Sequence, residues 1–164
     1  MKTSIRILFG GVSLAVILGG SKSSRLYAKL VYDEKVAQNV NCSFSEMTLG
    51  SVIGCDILIK PGATPADVEK GLDLEIAALR DKGPTQEEVK RAQTMQKAAA
   101  LMALESASRR ADLLNRYNHF VGDPGFFEKD QARYAAATAK SIQTQAKKWL
   151  DHRRVVVIVT PEGK

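Results

Sequence analysis

Histidine is scarce in this chain. Only His119 and His152 occur. They fall in different expected elements, whereas a zinc-binding pair sits one helical turn apart. Cysteine is equally sparse: Cys42 and Cys55 stand alone, without a histidine nearby, which excludes a Cys/His zinc module. There is no arginine-rich run and no alternation of basic and aromatic residues. The net charge of +6 comes from 24 basic and 18 acidic residues interleaved along apparent helices. That pattern describes a solvated surface, and no nucleic-acid partner is expected. Gly10-Gly11 and Gly19-Gly20 lack the strand context of a phosphate-binding loop. Ser23 and Ser24 have no neighbouring base that would make either a nucleophile, and their plain role is to end or kink a helix with Gly19-Gly20. No internal repeat and no low-complexity segment is present.

What is there is an ordinary globular composition, 45% apolar and 26% charged over 164 residues, enough for one domain with a real core. Two readings fit residues 1–20. Lys2 and Arg6 ahead of the apolar run Ile7 to Leu18, then Gly19, Gly20 and Ser21, follow the grammar of a secretory signal, and the run is short for a membrane span. Alternatively, Val12 to Leu18 form the first turns of a domain helix continuing into Ser23 to Tyr32. The first reading places the protein in the periplasm or outside the cell; the second leaves it in the cytoplasm. Residues 1–11 are set apart as an atypical N-terminus or part of the signal-like segment, in keeping with a truncated or misassigned start. Residues 12–164 form the domain.

Val36 to Phe44 and Gly50 to Lys60 read as two strands of a hairpin centred near Thr48 and Leu49, which puts Cys42 opposite Cys55. Buried thiols are expected there, with a disulfide as the alternative in an export compartment. Thr64-Pro65-Ala66-Asp67 starts a helix whose apolar stripe is Val68, Leu72, Ile76 and Leu79, ended by Gly83-Pro84. Thr85 and Glu88 make a capping box, and one helix is expected from there to about Asn118. After the loop Gly122 to Gly125, Phe126 to Arg133 forms a short helical connector. Thr138 caps a helix with Ile142, Ala146, Trp149 and Leu150 on one face. Val155 to Val159 reads as a buried strand. Segregated strands and helices argue for an α+β fold, with several helices on one face of a small antiparallel sheet. A sheet this small has open edges, and self-association through them is expected.

The segment Leu18 to Val40, with Gly19-Gly20-x-x-Ser23-Ser24-Arg25-Leu26 at its head, resembles the helix-to-strand segment in the C-terminal, non-metal-binding half of pitrilysin/insulinase-type (inverzincin) zinc metallopeptidases, of the mitochondrial-processing-peptidase type. Lys82 to Ala92 resembles the Gly-Pro-Thr-x-x-Glu-Leu-x-x-Ala helix start of that family. Tyr134 with Ala139 to Gln143 resembles the beginning of its last helix, and Arg153 to Pro161 its closing strand. The matches keep the family's order from about residue 12 to 162, and they favour the domain-helix reading of Val12 to Leu18.

The resemblance implies a metallopeptidase lobe whose sheet relatives complete with strands from upstream. It also implies that zinc and its His-x-x-Glu-His ligands belong to another half or subunit, because Glu87-Glu88 here has no histidine at ligand spacing. This chain would then have no catalytic residue, no metal ligand and no cofactor of its own, and would be inactive alone. The family's substrate-binding arginine and tyrosine, seven apart, are replaced by Val31 and Gln38. Leu30-Val31-Tyr32 followed by Ala37-Gln38 is similar instead to the metal-bearing subunit of two-subunit relatives. The implied role is a non-catalytic lobe that contributes chamber wall and lobe interface, with a His-x-x-Glu-His half as partner and peptides reaching the assembled enzyme. The alternative is a stand-alone interaction or assembly module derived from the same lobe, without proteolysis.

Overall fold

A computed structural model describes residues 2–47, 50–151 and 153–160. It has an α+β architecture: a two-stranded antiparallel sheet under a layer of helices. Helix α1 (Lys2–Gly19) runs unbroken through the boundary expected at residue 11. No described helix is long and apolar enough to cross a membrane. Leu14, Ile17 and Leu18 of α1 are buried to within 1% of their surface. Each such side chain contributes about 1.5–3 kcal/mol relative to an exposed one, so α1 is the centre of the core.

The expected continuation of that helix into Ser23 to Tyr32 is interrupted. The chain turns at Gly20 to Ser24, where buried Ser24 donates from Oγ to the Ser21 carbonyl at 2.6 Å. It restarts as the single turn α2 (Arg25–Tyr27), which passes into a π-helical stretch, Ala28–Asp33. Lys35, with φ of 58°, then swings the backbone into β1.

Strands β1 (Ala37–Glu46) and β2 (Ser51–Ile59) pair in the expected register, Cys42 opposite Cys55; the turn residues Thr48 and Leu49 lie outside the described residues. Val40, Cys42 and Phe44, facing Ile57, Cys55 and Ile53, pack against the core. Gly11 and Gly19 let α1 lie this close: a Cβ at Gly11 would enter the Phe44 ring, and one at Gly19 would strike Cys42. The expectation of free thiols is corrected, because Cys42 and Cys55 are joined as a disulfide. Directly opposed cross-strand positions, 4.1 Å apart at Cα, bring the two sulfurs within bonding reach.

Helix α3 (Pro65–Lys82) starts as expected, with Thr64 and Asp67 in a capping box and Pro65 in its first turn. Gly83, at φ of 75°, ends it. Thr85 and Glu88 cap α4 (Gln86–Glu105). The single helix expected to Asn118 is in fact two. Ser106 adopts an extended backbone, and its side chain accepts from the Arg109 N–H to start α5 (Ala107–Val121). Helices α6 (Phe127–Ala135) and α7 (Ala139–Trp149) follow, α7 under a Thr138–Ser141 capping box. Ile142 and Ala146 of α7 are buried, whereas Trp149 is half exposed.

Two glutamines tie helix ends together. Gln143 Nε2 donates to the Arg80 and Asp81 carbonyls of α3, and Gln93 Nε2 donates to the carbonyls of Ala135, the last residue of α6, and of Ala137 just beyond it. Each supplies donors to carbonyls that a helix end leaves without intrahelical partners.

The expected buried strand at Val155 to Val159 is the second correction. Residues 153–160 form neither helix nor strand, and Val155, Val157 and Val159 are 90%, 79% and 88% exposed. The segment has the composition of a central strand, but among the described residues no strand lies beside it.

Candidate functional site

The sheet presents two unlike faces. Its inner face is apolar and lies under α1, whereas the outer face of β1 carries Asn39, Asn41, Ser43 and Ser45, all exposed. Asp56 of β2 stands opposite Asn41, and Leu58 opposite Asn39. The amides and hydroxyls both donate and accept hydrogen bonds, the chemistry that an extended peptide backbone can answer. At one end of this face an open recess of about 250 Å³ is bordered by Ser21, Lys22, Tyr27, Asn39 and Asn41. Its lining of hydroxyl, amide and ammonium groups could bind a polar chain.

Val31 and Gln38, where the resemblance implies an arginine and a tyrosine, do not converge on this face. Val31, on the π-helical stretch, packs against the core. Gln38 is exposed and is the extra residue of a β-bulge, since Ala37 pairs with Ile59 and Asn39 already pairs with Leu58. Neither can hold a carboxylate by charge. His119 lies in the last turn of α5 with its ring edge-on to Phe120 at 4.7 Å; His152 lies outside the described residues. No group of three or more His, Cys, Asp or Glu among the described residues could hold a metal ion.

Two charged clusters hold elements in place. Arg25 donates to both carboxylate oxygens of Glu88 and to the Gly83 carbonyl, and Glu88 also accepts from the Thr85 N–H. Burial pushes the Glu88 carboxyl upward, yet the hydrogen bonds from Arg25 and Thr85 outweigh it and hold the group below its ordinary range. The second cluster joins the hairpin to α5 and α6. Tyr117 donates to Asp130, Arg133 pairs with Asp130, and Arg116 approaches Glu46 of β1. Burial first, then Asp130, raises the Tyr117 and Tyr134 hydroxyls, Tyr134 to about 12. Burial likewise lifts Glu46 above its ordinary range. Sequence reading missed both clusters, because each joins residues of separate elements.

The protein-family comparison matches residues 8–96 to the peptidase M16 inactive domain. Among solved structures, the chain is similar to the inactive peptidase domain of a proposed zinc protease from Bordetella parapertussis, at 23% identity and a TM-score of 0.76, covering 90% of this chain and 79% of that one. A protease from Helicobacter pylori matches at 20% identity and a TM-score of 0.75, over 92% of this chain and 35% of that one. The peptidase M16 inactive domain from Pseudomonas fluorescens matches at 20% and 0.63, over 86% and 34%. The chain thus spans about a third of the length of the two longer relatives. No curated protein matches the sequence. With more than half its length matched and its fold shared with these structures, the chain belongs to the family of the peptidase M16 inactive domain.

Proposed function

We propose that this chain is the non-catalytic lobe of a zinc metallopeptidase, contributing chamber wall and lobe interface to peptide hydrolysis carried out by a separate His-x-x-Glu-His half. The observation that carries the reading is the outer face of β1. It is a row of exposed neutral amides and hydroxyls, able to line a chamber through which peptides of varied charge pass. The family match supplies the catalytic context, and the absence of an arginine or tyrosine at Val31 and Gln38 leaves charge-specific capture of substrate to the other half. Residues 12–164 constitute this lobe.

Reconstitution tests the reading. Mixing the chain with a His-x-x-Glu-His polypeptide from the same source is expected to give a stable complex that cleaves peptides faster than the metal-bearing half alone. A metal-bearing half that neither binds this chain nor changes its activity would overturn the proposal. A native partner without the His-x-x-Glu-His motif would point to the assembly-module alternative instead.

A further inference from the structure

The Cys42–Cys55 bond lies where three elements meet. It joins β1 to β2 on the inner face of the sheet, against the end of α1. Cys42 is only 5% exposed, and Gly19 leaves it no slack: a Cβ there would meet its sulfur and come within 2.8 Å of its backbone nitrogen. The same contact forms a corner of the polar recess. Gly19, Gly20 and Ser21 continue from α1 as one wall, and Asn39 and Asn41, just before Cys42, belong to the other. The two walls are held by unlike means. Strand β1 is fixed by its ladder to β2 on both sides of the bond, with Asn41 opposite Asp56 and Ser43 opposite Gly54. The end of α1 has packing and its own helical bonds, Gly20 N–H donating to the Val16 carbonyl at 3.1 Å, and the chain turns away directly after it.

We propose that this bond is a redox-sensitive strut that sets the width of the recess. Its reductant is a dithiol. One thiolate of the dithiol attacks the sulfur of Cys55, the less buried of the two, forming a mixed disulfide and releasing Cys42 as a thiolate. The second thiol then closes the reductant's own disulfide and releases Cys55. Two electrons and two protons pass to the protein, which ends with two thiols. Bonded sulfurs sit ~2 Å apart, whereas two thiols, like other non-bonded heavy atoms, need ~3.5–4 Å. The ladder on either side of positions 42 and 55 keeps the strands from parting, so the extra room must come from the α1 side. There the thiols meet the Gly19 backbone, and a close-packed interior transmits the displacement. Reduction therefore moves the α1 wall away from the β1 wall and widens the recess. The inference concerns the recess whatever occupies it, and is independent of any peptidase role.

Amide NMR of the full chain, before and after dithiothreitol, tests the strut. Reduction is expected to shift the signals of Gly19 to Ser21 and of Asn39 and Asn41. Exchange at Gly19 and Gly20 should become about tenfold faster, with α3 and α7 unchanged, and reoxidation should restore the first state. A chain carrying Cys42→Ala and Cys55→Ala separates crowding by thiols from loss of the cross-link, because it has neither sulfur. Its Gly19 and Gly20 amides should keep the slow exchange of the oxidised protein and ignore the reductant. Reduction that leaves the recess signals in place would overturn the proposal, since Cys55 would then have found room elsewhere. So would a reduced chain that loses protection in α3 and α7 together with α1, which marks a bond serving global stability alone. An alanine pair loosened at Gly19 as much as the reduced chain would also contradict it.

Discussion

Arg25 and Glu88, 63 residues apart in sequence, meet through two hydrogen bonds of 2.6 and 2.8 Å. The pair fastens the turn after α1 to the start of α4, and Glu88 simultaneously completes the Thr85 capping box. One carboxylate therefore serves two elements. Glu88→Gln keeps the shape but weakens both charge-assisted contacts, and is expected to cost about 1.5–3 kcal/mol in urea denaturation.

The same residue gives stability a pH dependence. The folded state holds the Glu88 carboxyl below its ordinary range, so its contribution is present above the unfolded pKa and is lost as pH falls through the folded one. Glu46 and Glu75, both raised by burial, act in the opposite sense and regain stability as they protonate. The wild-type advantage over Glu88→Gln should therefore shrink on acidification from neutral pH toward pH ~3, below the ordinary glutamate value. Melting curves of both proteins across that range check this.

The disulfide closes a loop of sequence separation 13. A loop of that size is worth about 3 kcal/mol in the chain-entropy account. Reduction, or replacement of Cys42 and Cys55 by serine, should lower the melting temperature by several degrees. A melting temperature indifferent to reductant would show that the hairpin does not need the bond.

Gly19 and Gly54 offer a matched contrast. A methyl at Gly19 would meet the Cys42 side chain and backbone, whereas one at Gly54 would meet nothing within 4 Å. Gly19→Ala is expected to destabilise by about 1–3 kcal/mol through overpacking. Gly54→Ala should be neutral or slightly stabilising. Parallel thermal melts compare the two directly.

Arg154 holds the exposed C-terminal segment against α3 through Asp73 and Glu69. These charges are partly solvated, so Arg154→Ala should change global stability by less than about 1 kcal/mol. Its effect should be local: faster proteolysis and amide exchange at 153–160, with the helices unaffected.

What was legible in the sequence was local. Thr64-Pro65-x-Asp67 and Thr85-x-x-Glu88 announced their helices, because a cap is satisfied within four residues of its origin. The hairpin register followed from strand spacing alone. Ser106 went unread because its cap uses only a backbone N–H, and the sequence around it is as helical as its neighbours. Whether Cys42 and Cys55 bond depends on redox surroundings that residue spacing does not encode. The Val155 to Val159 run misled for a related reason: such a pattern records the burial a strand needs, not whether a neighbour supplies it. At the candidate site, that positions 31 and 38 are valine and glutamine, neither arginine nor tyrosine, was legible. The bulge that sets Gln38 apart on β1 was not, since a bulge depends on both strands.

The most direct test of the account is to assay the purified chain alone for bound zinc, together with cleavage of a quenched fluorescent peptide with and without chelator. A non-catalytic lobe should carry well under one zinc per chain and show no chelator-sensitive cleavage. Stoichiometric zinc with cleavage that the chelator abolishes would mean that this chain is a protease by itself.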